Sequence, residues 1–423
     1  MKLFAVTGNP ILFSRSPNIF NPIFRNKNID AKYLRLAAQS AKEAIDLFKE
    51  LGLSGMNVTA PFKIDIIDYL DQVDDIANEI GSVNTIKIEA GQLVGYNTDY
   101  QGIVNSIKKI KDQKVLLIGA GGAGQAVAYS ITKQGGKLTI YNRTTEKARL
   151  LAQKYNAETC SLNHLQKATE EADIIINTLS SRKKVLEDNW LKSHQTIFDA
   201  NYQNSVYKDT AKQLNINYIS GETWLKNQAI TAFKLFFEKE NITYSDITIA
   251  KKISKEKLIF TGFMGSGKSI IGEKISKKLD CNFFSTDSII ENKEGLSINE
   301  MFEKHGEAYF RKTEQDVLKM LSSMNGKAII SSGGGMILNK KNRALIKGNY
   351  LSIWLYANPK TIMQRAKPEN RPLLKNNFDL EYIQDLISKR KKLYAQSSNI
   401  LINTNNRNPQ EIIEILENEL ASI

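Results

Sequence analysis

Residues 261–274 read TGFMGSGKSIIGEK. Gly262 to Ser269 satisfy G-x-x-x-x-G-K-[ST], follow the apolar run KLIF and lead into a helical pattern. Backbone N–H groups of such a loop cradle the phosphates of a nucleoside triphosphate. The lysine, Lys268, reaches the β and γ groups, and the Ser269 hydroxyl binds Mg²⁺. Gly265, Ser266, Gly267, Ser269 and Ile270 are therefore read as triphosphate contacts, with Ser269 the candidate metal ligand. Ile271, Ile275 and Leu279 recur on one helical face and are expected to pack inward. A different phosphate-binding loop, LIGAGGAGQA, occupies residues 117–126. Two such loops in one chain ask whether it serves one reaction or two.

The chain has 423 residues, which at roughly 100–200 residues per domain predicts two or three domains. It is 42% hydrophobic and 24% charged, ordinary values for a globular chain. No run reaches the roughly 18 apolar residues of a membrane helix. MKLFAVTGNP is too short an apolar run for a signal peptide and reads as a first strand. Cys160 and Cys281 stand in no metal or disulfide spacing and fit a cytoplasmic setting. The net charge of +13 comes from lysines dispersed along helical patterns. No basic stripe is interleaved with aromatics, so small anionic ligands are expected rather than nucleic acid.

Strand-like and helical runs alternate nearly throughout, which predicts α/β layers and mainly parallel sheets. KLFAVTG is a strand; Ser16 then reads as a helix N-cap with Pro17 at the first helical position. AKEAIDLFKELG is an amphipathic helix closed by Gly52. KVLLIGAG, KLTIYNR, DIIINTL and TIFDANY are strands of one further layer, and QAITAFKLFFEKE is a helix. The polar stretch from Glu238 to Lys257 is the best boundary, after which KLIFTGF starts a fresh βα pattern.

GAGGAG supplies Gly119, Ala120, Gly121, Gly122, Ala123 and Gly124 between a strand and a helix. The first glycine of the G-x-G-x-x-G spacing makes the turn, the second admits a pyrophosphate and the third lets helix and strand pack closely. The next strand ends Asn142-Arg143-Thr144, with Lys147 one turn on. An acidic residue there would hold a ribose 2′-hydroxyl; a guanidinium and a hydroxyl suit a 2′-phosphate, so NADP(H) is expected. Hydride addition to a ketone builds charge on oxygen, which needs a stabilising proton donor. His164, His194 and His305 sit in no functional loop. Lys63 of GMNVTAPFK is the replacement, with Pro61 expected to open a helix whose positive end would lower the lysine's pKa. Asp99 of GYNTDYQG is its candidate partner.

SRSP at Ser14–Pro17, NVTAPFK at Asn57–Lys63, SVNT at Ser82–Thr85, NTD at Asn97–Asp99, GAGGAG and NRT resemble, in that order, the shikimate dehydrogenases over roughly the first 245 residues. The resemblance implies NADPH-dependent reduction of 3-dehydroshikimate to shikimate. It makes Lys63 and Asp99 the catalytic pair, and has Ser14, Ser16, Thr59, Asn84, Asp99, Tyr202 and Gln228 hold the substrate's carboxylate and hydroxyls. It puts Gly221 of GETWLKNQ by the cofactor. The chain departs from the family at Phe20 (usually His), Ser82 (usually Ala), TLSSRKK and Trp224. A second reading has the first half act on quinate or use NAD as cofactor; Arg143 opposes NAD.

Downstream of the second loop, STD at Ser285–Asp287 follows a strand, EAYFRKTE supplies Arg311 and Glu314, and SSGGGMI supplies Gly333, Gly334 and Gly335. RPLL supplies Arg371 between Pro368 and Pro372, a segment read as a lid, and KRKKLY supplies Arg390. Three glycines permit close backbone approach to a ligand. Arginines suit a carboxylate bidentately, and Arg371 suits a transferring phosphoryl group. Together these resemble the shikimate kinases from about residue 257 onward. The resemblance implies ATP-dependent phosphorylation of the shikimate 3-hydroxyl, with Mg²⁺. In it Asp287 helps deprotonate the attacking hydroxyl, Arg311, Gly334, Gly335 and Arg390 hold the substrate, and Lys268 and Arg371 stabilise phosphate. Ser285 replaces the first aspartate of the family's Asp-x-Asp, which predicts an active kinase with weaker dependence on that part of the Mg²⁺ shell.

The expected layout is an α/β chain in three parts. Residues 1–245 form a two-lobed dehydrogenase, its substrate lobe about 1–100 plus helices 226–240 and its Rossmann lobe about 101–225. A linker at 246–256 leads to a P-loop kinase domain with a parallel sheet at 257–423. The product of the first half is the substrate of the second.

Overall fold

The computed structural model describes residues 1–179, 184–202, 205–238, 240–249, 256–366, 374 and 377–423. By contact the chain divides into two compact units, Met1–Leu53 with Ile249–Ile423, and Ser54–Thr248. The first unit is built on a parallel sheet. Lys257–Thr261 and Leu351–Tyr356 bury every residue, as expected of strands covered on both faces. The strand order is Asn282–Ser285, Ala328–Ser331, Lys257–Thr261, Leu351–Tyr356, Ile400–Asn403, Ala31–Ala37 and Lys2–Gly8, each neighbouring pair parallel. The P-loop thus leaves a strand flanked on both sides and runs into helix Lys268–Lys278. That helix buries Ile271 and Ile275, but Leu279, expected inward, is 41% exposed because the helix stops one residue before it.

The pairing of Ile400 with Arg35, Leu401 with Leu36 and Ile402 with Ala37 explains why the contact units do not follow a cut at 246–256. Helix Ala41–Leu51 strengthens the junction. Ser40 caps it by accepting from the Glu43 N–H, and Gly52 closes it at φ 62°, as its sequence predicts. Glu43 takes a two-pronged ion pair from Arg407 at 2.6 and 2.7 Å, and accepts from Asn403 at 2.7 Å. Burial alone would raise the Glu43 carboxyl; the Arg407 guanidinium, the Gln39 N–H and Asn403 outweigh burial and hold it below its usual range. One boundary shifts. Ser16 is the first residue of helix Ser16–Asn26 rather than its cap, Arg15 stands at the cap, and no side chain caps the helix.

The second unit holds two sheets. Gly55–Val58 and Gln92–Tyr96 flank Thr85–Glu89 antiparallel, and Gln72–Val73 adds in parallel. The other is six-stranded and parallel, ordered Asn217–Ser220, Thr196–Asp199, Ile174–Asn177, Lys114–Ile118, Lys137–Tyr141, Glu158–Thr159. Sequence runs outward in both directions from Lys114–Ile118, so the strand order reverses there. A dinucleotide binds at such a switch point. Helix Gly221–Phe236 begins seven residues earlier than the pattern QAITAFKLFFEKE marks it. In the polar stretch 238–257, the described part holds one 3-10 turn, Tyr244–Asp246, closed by a capping box; residues 239 and 250–255 lie outside the described residues.

Candidate active sites

In the second unit, strand Gly55–Val58 ends just before Thr59, and a turn carries Lys63. No α-helix starts at Pro61. The chain makes turns and then the 3-10 helix Asp65–Tyr69, so the expected helix dipole does not act on Lys63. What faces its ammonium is Asp99, with Nζ to Oδ2 at 2.5 Å, the lysine side chain 12% and the aspartate 1% exposed. Asp99 opens helix Asp99–Ser106, and its N–H donates to Asn97 Oδ1. Asn84 accepts from the Thr98 N–H at 2.7 Å and donates to Gln228 Oε1 at 3.2 Å. Asn84 and Gln228 therefore stand together beside the turn into Asp99. Thr59 and Tyr202 are partly buried.

The dinucleotide loop reaches the same place. A Cβ on Gly122 would lie 2.8 Å from Lys63 Cβ, while one on Gly121 would meet nothing within 4 Å. The loop thus touches the lysine at one glycine and is open at the next, where a pyrophosphate would approach. Gly119 has φ 110°, and a Cβ on Gly124 would sit 2.2 Å from Gly119 O, so the first and third glycines have the turn and packing roles expected of them. Asn142 Oδ1 accepts from the Ala120 N–H and fixes the loop to the end of the next strand. Ala123 lies in the first turn of helix Gly122–Lys133. Arg143, Thr144 and Lys147 are exposed; among the described residues no carboxylate pairs with Arg143 or Lys147. This fits a 2′-phosphate. Gly221 is required by packing, since a Cβ there would lie 2.2 Å from Ala200 O.

Two departures from the family pattern acquire roles. Ser82 donates to Gly122 O at 3.2 Å and accepts from Asn97 Nδ2 at 2.9 Å, linking the Asp99 turn to the dinucleotide loop. Trp224 is buried, packs edge-on against Phe198 and donates from Nε1 to Asp99 O at 3.0 Å. It holds the peptide that presents the Asp99 carboxylate, a role that the sequence signals only as an unusual aromatic. Of TLSSRKK, residues 180–183 lie outside the described residues.

In the first unit, Gly262, Gly265 and Gly267 have φ 146°, 77° and 94°, conformations that favour glycine. Lys268 is buried and donates to Phe263 O at 2.9 Å, and Ser269 Oγ lies 3.0 Å from Ser331 Oγ. Ser266 is buried, with no partner for Oγ among the described residues. Ile270 is 55% exposed on the first helical turn. The loop suits a triphosphate. Among the described residues no cluster of three His, Cys, Asp or Glu could hold a metal by itself.

The glycine triplet explains the acceptor side. A Cβ on Gly333 would lie 2.6 Å from Glu314 Oε1 and 2.8 Å from Asp287 Oδ1, and one on Gly335 would strike the Arg311 guanidinium at 2.4 Å. Two carboxylates and an arginine therefore converge over bare backbone. Gly333 donates to Thr286 Oγ1, and Gly334 O accepts from Tyr394 OH at 2.6 Å; the sequence reading missed both partners, although Thr286 is the middle residue of STD. Arg311 bonds Glu314 Oε2 and Glu307 Oε1, both at 3.0 Å. Burial pushes the Glu314 carboxyl up to about 7, with Arg311 opposing and Asp287 adding to the rise. Arg390 is buried over the Phe263 ring, and its Nη1 has no partner among the described residues. A buried guanidinium nitrogen with no partner is costly unless a ligand meets it, and a carboxylate fits. Ser285 caps helix Thr286–Glu294 by accepting from the Ser288 N–H at 3.3 Å. Arg371, Pro368 and Pro372 lie outside the described residues.

Ser14 and Ser16 belong to this unit too, Ser14 on the loop after Lys2–Gly8 and Ser16 at the start of helix Ser16–Asn26. Their hydroxyls are 3.4 Å apart. Phe20, where the resembled family has His, is buried and stacked on Tyr33 at 4.5 Å.

Comparison with known proteins agrees with both halves. Residues 6–86 match the family model for the shikimate dehydrogenase substrate binding domain, residues 103–216 that for shikimate / quinate 5-dehydrogenase, and residues 264–421 that for shikimate kinase. The NADP(+) shikimate dehydrogenase of Aquifex aeolicus is 37% identical over 246 residues, covering 56% of this chain and 91% of the relative. The crystal structure of shikimate dehydrogenase from Aquifex aeolicus superposes with a TM-score of 0.55 at 35% identity, covering 58% of this chain and 96% of that one. The Thermus thermophilus enzyme in complex with NADP(H) and shikimate gives 0.53 at 26% identity, covering 58% and 97%.

Proposed function

The chain belongs to the shikimate dehydrogenase family and carries a shikimate kinase domain behind it, a bifunctional enzyme of the shikimate pathway, and we propose how its residues divide the work. The observation that carries the reading is the Lys63–Asp99 pair, its aspartate buried and its lysine partly so, lying against Gly122 of the dinucleotide loop. NADPH, when bound, supplies the hydride. The Lys63 ammonium stabilises the oxygen of the 3-dehydroshikimate ketone as charge builds there and gives it a proton. Asp99 keeps the ammonium aimed. Asn84 and Gln228, with Thr59, Tyr202, Ser14 and Ser16, hold the hydroxyls and carboxylate. Arg143, Thr144 and Lys147 meet the 2′-phosphate and favour NADPH over NADH.

In the kinase half, ATP with Mg²⁺ supplies the phosphoryl group. Arg390 and Arg311 hold the shikimate carboxylate, and Gly334 and Gly335 let it approach the backbone. Asp287 accepts the proton of the attacking 3-hydroxyl. Lys268 neutralises charge on the phosphates, joined by Arg371, and Ser269 offers its hydroxyl to the metal. The division of the chain into 1–245, 246–256 and 257–423 is proposed as the functional one, distinct from the contact units. The cytoplasm is the proposed compartment, supported by the two unpaired cysteines. No helix among the described residues is long and apolar enough to cross a membrane. Separate assays test the reading: NADPH oxidation must require 3-dehydroshikimate, and ADP release must require shikimate. Turnover of ATP without shikimate dependence would refute the second half.

A further inference from the structure

The loop Asn9–Arg15 carries Ser14 and leads into Ser16, and it is held by residues of the kinase sequence. Ile11 and Leu12 are buried, so their N–H groups need acceptors. Both donate to one oxygen, Oε2 of Glu419, at 2.8 and 2.7 Å. Glu419 lies on the last helix, Pro409–Ala421, and is 1% exposed. The other end of the loop is held through Arg35. Its Nε and Nη2 donate to Ser14 O at 2.9 and 2.6 Å, and its Nη1 donates to Asn399 O at 3.3 Å. Arg35 itself is in register with Ile400 of the kinase strand. The serine loop is thus fixed at Ile11, Leu12 and Ser14, in each case by a contact that ends in the kinase sequence.

We propose that Glu419 is a positioning residue for the dehydrogenase: the kinase supplies the anchor that holds the Ser14–Ser16 loop ready for the substrate's carboxylate. The proposal rests on the dehydrogenase reading above and extends it. Two N–H groups converging on one buried carboxylate oxygen leave the loop a single arrangement. Without that oxygen the two peptides must turn toward water, and the serines turn with them. Among the described residues the Glu419 carboxylate bonds Ile11 and Leu12 and no residue of the phosphate loop, so the kinase site is expected not to share this dependence. Glu417, on the same helix, pairs with Lys278 at 2.9 Å, at the end of helix Lys268–Lys278 away from the phosphate loop.

The test uses the full chain with Glu419→Ala, Glu419→Asp and Glu419→Gln. Glu419→Ala is expected to raise KM for 3-dehydroshikimate on the order of tenfold, with kcat within about twofold and shikimate phosphorylation unchanged. Glu419→Gln keeps a carbonyl oxygen for both N–H groups and is expected to restore the wild-type KM. Should Glu419→Ala not fold, Glu419→Asp carries the test: its acceptor is drawn back by one methylene, and KM is expected to rise. An unchanged KM in Glu419→Ala, or in Glu419→Asp where that variant decides, overturns the proposal. So does a kcat loss that Glu419→Gln fails to restore. If the wild-type chain does not reduce 3-dehydroshikimate at all, the functional reading fails instead. Amide exchange at Ile11 and Leu12 then decides the anchoring: faster exchange in Glu419→Ala is expected, and equal exchange overturns it.

Discussion

Gly122 lies so close to Lys63 that a single added carbon would come within 2.8 Å of the lysine's Cβ. The dinucleotide loop and the turn that carries Lys63 are therefore one packed element, and the loop sets the lysine's place. Gly122→Ala must displace either the loop or Lys63, because Lys63 Cβ is fixed to the backbone and cannot swing aside. A displacement near 1 Å costs about 10²-fold in rate. The expected result is a kcat for 3-dehydroshikimate reduction lowered by about two orders of magnitude. Phosphorylation of shikimate stays at its wild-type rate, and steady-state kinetics of both reactions on one preparation check this.

The pairing of Lys63 with Asp99 predicts a steeper loss. In the proposed roles, Lys63→Ala removes the proton donor, and Asp99→Asn removes the charge that aims it. Each is expected to reduce kcat for the reduction by roughly 10²–10⁴-fold, the usual span for a positioned acid or base. NADPH binding, followed by fluorescence, is expected to persist in Lys63→Ala. Loss of both activities together would contradict the separation of the two sites.

Glu314 gives a pH-dependent prediction. Its carboxyl is pushed from 4.5 up to about 7 in the folded chain, so between these values the folded state holds a proton that the unfolded chain has lost. The associated stability is fully present below pH ~4.5 and is lost as pH rises through ~7, up to about 3 kcal/mol by linkage. Glu314→Gln cannot ionise. Relative to wild type it is expected to gain stability between pH 4.5 and 8, measured as the difference in urea midpoints. An equal difference at both pH values would contradict the assignment.

Much of this architecture is legible in the sequence because the signals are local. A glycine loop needs particular φ angles, and a strand before it and a helix after it complete the pattern. Gly119, Gly124, Gly262, Gly265 and Gly267 behave accordingly. The Gly52 helix stop holds for the same reason. What the sequence hides is long-range. Nothing in the local pattern of YLRLA or ILIN says that these strands pair, since two fully buried strands carry no mark of their neighbour. The buttress from Trp224 to Asp99 O spans 125 positions, and the Glu419 contacts span more than 400. The helix expected at Pro61 fails because a proline suits the first turn of a helix and a tight turn alike, and the four residues Pro61–Ile64 take turns. Ser285 looked only like a missing carboxylate, but its hydroxyl caps the following helix.

The central claim is that two sites on one chain act in sequence on one metabolite. Its most direct measurement supplies the purified full chain with 3-dehydroshikimate, NADPH, ATP and Mg²⁺, and follows the products by mass spectrometry. Shikimate 3-phosphate is predicted to form with one NADPH oxidised and one ADP released per molecule, and to require both cofactors. Accumulation of shikimate without the phosphate, in the presence of ATP and Mg²⁺, would contradict the account.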